Sequence, residues 1–226
     1  MESTIKQEKK EMNKLERIGK IFTKPKLAFE SIRENPDSIM VLGIFTLIGV
    51  ICFIFTKDYY KLATMDSLIN GTQVEGLEIN DAMINAVTAS AIIFGVLSVF
   101  VAPLLKGLLT HWISLLFGGD GTLKQTISVT VYSYCISVFG FIVKSVLMII
   151  TDNYLITFSP AAFLDASNTS QMGLYYILST FEVFNIWYLI VAGIGYSIVQ
   201  KISLKKAMLI TFIPTILILA IQLTSL

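Results

Sequence analysis

This 226-residue chain has few charged residues beyond its N-terminal segment. Asp, Glu, Lys and Arg make up 15% of its residues, whereas soluble domains carry about 25%. Sixteen of these charged residues lie in positions 1–37, and the remaining 189 positions hold 17. A soluble fold needs polar surface on every side, so this long, weakly charged stretch excludes a soluble fold. The sequence predicts an integral membrane protein with a charged N-terminal arm.

Cysteine and histidine are also scarce, which limits the chemistry available. Cys52 and Cys135 lie in separate apolar runs without a CxxC motif or a Cys/His cluster, so apolar packing is their expected role. The single histidine, His111, excludes sites built from two or three histidines, and neither HExxH nor GxxxxGK[ST] occurs. A formal net charge of +1 supplies no field for polyanions. We therefore expect no catalysis, no cofactor, no metal site and no nucleic-acid partner.

Long apolar runs fill the rest of the chain and predict an all-α membrane domain over residues 38–226. A helix needs about 20 apolar residues to cross a bilayer core about 30 Å thick. Five runs meet this requirement, namely 38–56, 82–105 continuing to 118, 125–150, 173–200 and 207–226. The second is too long for one crossing, and Pro103 is expected to kink it because proline lacks the amide hydrogen of a helical bond.

A glycine cluster follows the second span and predicts a sharp turn. Gly118, Gly119, Asp120 and Gly121 are expected to end one helix, and Thr122 can cap the next. The cluster resembles a phosphate-binding loop only in its glycine content, because it follows a helix instead of a strand. We interpret it as a helix-ending turn.

The distribution of Lys and Arg between alternate loops predicts the orientation of the spans. The N-terminal arm carries nine of these residues, whereas the loops after the first and third spans are mainly acidic. The loops after the second and fourth spans add Lys124, Lys201, Lys205 and Lys206. Because basic loops stay in the cytoplasm, we predict a cytoplasmic N-terminus and an external C-terminus. The expected location is the cell membrane, or the endoplasmic reticulum or Golgi membrane in a eukaryote.

The arm divides into a polar tail over 1–14 and an amphipathic segment over 15–37. From Leu15 onward, apolar residues recur at helical spacing among charged ones, and Pro25 stands where a helix can begin. The candidate docking surface formed by this stripe consists of Ile21, Phe22, Pro25, Phe29 and Ile32. Two interpretations are open: a helix lying in the membrane interface, or a short helix packed under the cytoplasmic face of the bundle.

Two charged residues interrupt the predicted spans. By helical rise, Lys144 lies about 9 Å and Glu182 about 12 Å below the same surface of the membrane. An isolated charge at such a depth costs roughly 2–3 kcal/mol or more. The sequence therefore predicts an intramembrane ion pair between them. The alternatives are a snorkelling lysine beside a glutamate that is neutral or is assisted by Asn185, and a transport role.

Four segments in a fixed order carry a family resemblance. They are Ile21-Phe22-Thr23-Lys24-Pro25 with the following 28–32, then 111–125, then Tyr132-Ser133-Tyr134, and finally the exit of the fourth span over 193–207. Together they resemble the Yip-type membrane domain (Ypt/Rab-interacting protein superfamily) over roughly 15–226. The short N-terminal arm is similar to that of bacterial members.

The resemblance implies five spans, a cytoplasmic N-terminus and a role in membrane organisation. Eukaryotic members act in vesicle traffic through Rab-type GTPases and through one another, and some bacterial members accompany ABC exporters. We expect a non-enzymatic adaptor or scaffold; the alternative is a transport component, such as an accessory subunit of an ABC-type exporter. The expected partners are membrane lipids and other integral membrane proteins, with a second copy of the chain among the candidates.

Overall fold

The computed structural model describes residues 12–71, 80–164 and 172–224, and helices are the regular elements within these ranges. In chain order they are α1 (Lys14–Thr23), α2 (Pro25–Glu34), α3 (Ile39–Gly71), α4 (Asp81–Leu116), α5 (Leu123–Ser133), α6 (Cys135–Thr151), α7 (Met172–Thr180), α8 (Val183–Val199) and α9 (Leu204–Thr224). A short 3-10 helix, Pro160–Phe163, precedes α7. The predicted all-α membrane class is confirmed for these ranges.

Four helical stretches of the described chain are long and apolar enough to cross a membrane. They are Ile39–Ile69, Asp81–Leu116, Leu123–Thr151 and Leu204–Ile221. Helices α7 and α8 are bent by 50° relative to each other. They make a fifth span if the bent pair is counted as one. The five predicted spans are therefore present only when this pair is counted as one.

The bend between α7 and α8 corrects the continuous helix predicted over 173–200. Glu182 has an extended backbone (φ −66°, ψ 133°) and is the N-cap of α8. Its carboxylate Oε2 accepts a hydrogen bond from the Asn185 amide at 3.1 Å. Glu182 thus caps α8 at the break between the two helices, so this acid lies at a helix boundary and not within a continuous helix.

The first and third spans also differ from their predicted bounds. Helix α3 continues past Thr56 to Gly71, because charged residues alone do not end a helix and the intervening sequence contains no proline or glycine. The third span runs from Leu123 to Thr151 and is interrupted at Tyr134, which separates α5 from α6. The predicted polar tail lies almost entirely outside the described residues.

The long second span and its turn follow the prediction closely. Helix α4 is continuous through Pro103, so the predicted kink stays a prediction. Gly118 follows the helix with φ +83°, in the left-handed region that favours glycine. Thr122 then caps α5 through a reciprocal pair of hydrogen bonds with Gln125. The helix-ending turn and the cap are confirmed.

The core lies where α2, α5 and α8 meet. Helix α8 packs against α2, α5, α6 and α9, while α3 packs against α4 and α6. The largest fully buried side chains include Tyr132, Tyr188, Tyr196 and Phe29. Cys52 and Cys135 are buried and free, as their apolar surroundings predicted.

Candidate interaction site at the arm end of the bundle

Three segments that are distant in sequence meet at one end of the bundle, which we call the arm end. They are the helices α1 and α2, the turn over 117–122, and the connection between α8 and α9 over 200–203. The side chain of Gln125 donates to the carbonyl oxygen of Arg33 at 2.8 Å and so joins α5 to α2. Lys206 Nζ donates to the carbonyl oxygen of Phe117 at 3.1 Å and joins α9 to the turn.

The apolar stripe of the arm is buried against the bundle. Ile21, Phe29 and Ile32 are each 0% exposed. The Phe22 ring makes edge contacts with Trp187 of α8 and Phe139 of α6, at centroid distances of 5.6 and 5.8 Å. Of the two interpretations of the arm, the structure has the one in which the stripe packs on the bundle.

Pro25 and Leu15 are less buried than the rest of the predicted stripe. Pro25 is only partly buried and begins α2 at its first turn, as predicted. Leu15, which the spacing placed at the start of the stripe, is 64% exposed. Arg17 is buried on the stripe instead of Leu15: it lies one helical turn before Ile21 and is 3% exposed.

Arg17 joins α1 to the C-terminus of α2. Its Nη1 donates to the carbonyl oxygen of Asn35 at 2.8 Å, and its Nε donates to Ser31 Oγ at 3.1 Å. A cation is stabilised at this position because the last carbonyl groups of a helix carry partial negative charge. The guanidinium group also lies beside the Tyr132 hydroxyl of α5. Arg17 therefore connects the arm to the bundle core.

The glycine turn fits against the end of α8 with almost no free space. A Cβ atom on Gly121 would lie 2.5 Å from the carbonyl oxygen of Val199, and one on Gly119 would lie 2.6 Å from Gln200 Oε1. The Asp120 amide donates to the carbonyl oxygen of Gln200 at 3.0 Å. These glycines are required by the close approach of two backbones, a reason that the sequence alone did not provide.

Gln200 is fully buried and connects the turn to α5. Its Oε1 accepts from the Gly121 amide at 2.9 Å, and its Nε2 donates to Thr126 Oγ1 at 2.6 Å. The Thr126 hydroxyl in turn donates to the carbonyl oxygen of Thr122 at 3.1 Å. Its contact with His111 Nδ1 at 3.2 Å therefore needs a proton on that nitrogen. His111 serves here as a hydrogen-bond donor between helices.

One ion pair stands at the outer edge of this site. Lys201 Nζ lies 2.7 Å from Asp120 Oδ2, and both side chains are exposed. The hydrogen bond and positive charge of Lys201 hold the pKa of Asp120 below its ordinary value. The pair supports the turn while the carboxylate is charged and is lost as the pH falls through that lowered pKa. Because water screens it, its contribution to stability is small.

Lys144 and Glu182 are not part of the arm end; both line one cavity of about 250 Å³. The structure brings them close enough to interact electrostatically. The ion pairs shorter than 4 Å within the described ranges do not include them. One reason is that Glu182 is held by the amide that it caps. The direct pair predicted from the sequence is thus not formed in this arrangement, and its energetic coupling stays a prediction.

The polar side chains named above bond to one another or to backbone groups of the arm end. Within the residues that the structure describes, no three His, Cys, Asp or Glu side chains are placed to hold a metal ion. The arrangement can fix a surface in place: a rigid arm, a rigid turn and the basic side chains between them.

Comparison with known proteins agrees with this architecture. The family model described as "Yip1 domain" matches residues 19–226. The "Membrane protein YknW" of Bacillus subtilis (strain 168) is 28% identical over 197 residues, covering 83% of this chain and 79% of that protein. No solved structure matches. The resemblance read from the sequence is confirmed, and the chain belongs to the Yip1 domain family as a member of the bacterial type.

Proposed function

We propose that this protein is a non-enzymatic membrane adaptor that binds other integral membrane proteins through its arm end. The observation that carries the proposal is the anchoring of the arm: Phe29 and Arg17 are buried, whereas Lys24 and Lys26 on the same two-helix unit are exposed. An anchored helix presents its charged face in a fixed orientation, so a partner loses less entropy on binding than it would with a free tail.

The proposed orientation has the arm end in the cytoplasm of a cell-membrane protein. The contacts among the arm, the glycine turn and the α8–α9 connection support it, because they bring the basic arm together with Lys201 and Lys206 at one end. At the other end, Tyr59 of α3 donates to Asp152 Oδ1 at 3.1 Å and joins α3 to the end of α6. An odd number of spans then leaves the C-terminus outside.

Single-cysteine labelling tests this orientation. In a chain with Cys52 and Cys135 replaced by serine, we expect an impermeant maleimide to label Asp58→Cys and Asn153→Cys in intact cells. Lys26→Cys at the arm end should react only after permeabilisation. All three positions are exposed, so differences in reactivity report the side of the membrane. Labelling of Lys26→Cys in intact cells would overturn the orientation.

Affinity purification tests the adaptor role. The tagged full-length protein, extracted in mild detergent, should co-purify with a membrane protein that is reduced at least fivefold when Lys24 and Lys26 are replaced by glutamate. The matched control replaces Lys57 and Lys61 at the opposite end and should retain the partner. A partner lost equally from both variants would contradict binding through the arm end. A GTPase or another Yip-type protein in the sample would favour the adaptor.

The bent pair α7 and α8 supports a second candidate, a transport component such as an accessory subunit of an ABC-type exporter. Broken helices beside intramembrane charges occur at the substrate sites of transporters, and here the break at Glu182 faces Lys144 across a cavity. Co-purification of exporter subunits with the Lys57 and Lys61 variant, but not with the Lys24 and Lys26 variant, would favour this candidate.

A further inference from the structure

The cavity between α6 and the α7–α8 break presents opposite charges to an open space. Lys144 lines it from α6, Glu182 from the start of α8, and Thr157 from the segment after α6. Its volume of about 250 Å³ is below the roughly 300–1,000 Å³ of sites for drug-sized ligands. A ligand in it is therefore the size of a small polar headgroup.

The walls of this cavity are held in place by contacts that do not depend on a ligand. The Phe184 ring makes edge contacts with Phe158 and Phe139, at centroid distances of 5.3 and 5.9 Å. Gly140 lets this ring lie directly on α6, since a Cβ there would be 2.5 Å from Phe184 Cγ. The Val183 amide donates to the carbonyl oxygen of Phe158 at 3.2 Å and fixes the segment over the break. The site is thus largely preformed.

The two charges need partners, and each is placed to accept one. Lys144 lies seven residues before the end of α6, or about 10 Å along the helix axis. A charge at such a depth is expensive unless it is paired. Glu182 keeps one carboxylate oxygen on the Asn185 amide and has a second oxygen for another donor. A molecule with an anionic and a cationic group satisfies both side chains at once.

The surroundings indicate that this molecule comes from the bilayer. Phe181 and Val183, on either side of Glu182, are 51% and 58% exposed on the apolar surface of the bundle. Acyl chains can therefore run beside the break while the headgroup enters the cavity. The geometry points to a binding site for a zwitterionic phospholipid, with its phosphate on Lys144 and its ammonium group on Glu182. This inference goes beyond the adaptor role and does not depend on it.

Native mass spectrometry of the full-length protein, titrated in mixed micelles, tests the site. We expect phosphatidylethanolamine to bind at least tenfold more tightly than phosphatidylglycerol, which has no ammonium group. Lys144→Met should weaken phosphatidylethanolamine binding at least tenfold. Glu182→Gln keeps an acceptor for the Asn185 amide and should abolish the preference between the two lipids. Lys106→Met is the matched control, because this lysine lies over the Tyr188 ring at 4.6 Å and away from the cavity; it should leave lipid binding unchanged.

Several results would overturn the proposal. Equal binding of phosphatidylethanolamine and phosphatidylglycerol by the unaltered protein would overturn it. This comparison uses no variant, so it does not depend on whether the substituted proteins fold. A Lys144→Met protein that folds and keeps its affinity would also overturn it. Soluble phosphoethanolamine supplies the same charges without acyl chains, so binding as tight as that of the lipid would assign the cavity to a water-soluble zwitterion instead.

Discussion

Replacing Phe29 by alanine is expected to lower the free energy of unfolding by about 3–5 kcal/mol, the usual effect of removing a fully buried phenylalanine. The ring is 0% exposed and lies against α8, where a Cβ on Gly195 would be 2.9 Å from Phe29 Cε1. Truncation leaves a void that the rigid helix pair cannot close. Unfolding in mixed micelles, followed by the fluorescence of Trp187 beside Phe22, measures the loss.

Leu27→Ala is the matched control for this prediction. Leu27 lies on the same helix two residues earlier and is 46% exposed, so its truncation should change stability by less than about 1 kcal/mol. The Phe29→Ser, Ile32→Ser double variant should also make the lysines of the arm accessible to trypsin. Equal effects of Phe29→Ala and Leu27→Ala, or an arm that stays protected in the double variant, would contradict a docked stripe.

Replacing Gly121 by alanine is expected to lower the free energy of unfolding by about 3 kcal/mol or more. The new Cβ would lie 2.5 Å from the Val199 carbonyl oxygen, so the turn and the end of α8 must separate. That separation breaks the bond from the Gly121 amide to Gln200 and leaves a buried carboxamide oxygen without its donor. Thermal denaturation monitored by circular dichroism measures the shift.

Gly43→Ala provides the control for the glycine prediction. Gly43 lies within α3, and a Cβ there meets nothing within 4 Å. Alanine is the better helix former by about 1 kcal/mol, so stability should be unchanged or slightly raised. A Gly121→Ala variant as stable as the Gly43→Ala variant would show that the turn and α8 do not approach as closely as described.

Features that depend on neighbouring residues were predictable from the sequence. Pro25 at the start of α2, the turn at Gly118 and the cap at Thr122 follow from local backbone preferences, and the structure has all three. The apolar periodicity of the arm likewise predicted that Phe29 would lie on a buried face.

Features that depend on distant partners were not predictable in the same way. Gln200 is an ordinary polar residue at a helix end until the turn 79 positions earlier supplies its donor. Arg17 is one of nine basic residues of the arm, and only its spacing from Ile21 indicates that it lies on the stripe. Hydropathy alone places Glu182 inside a span, because it does not distinguish an acid that caps a helix from one buried within it.

The packing of Phe29 against Gly195 also determines the order in which the molecule can be completed during synthesis. The arm is made before α8, the helix that receives its stripe. Throughout that interval the apolar stripe is uncovered and available to a chaperone or to the membrane surface. Once α8 has been made, the arm and the glycine turn can both pack against it. A chain in which α8 is not yet made thus exposes the apolar stripe of the arm.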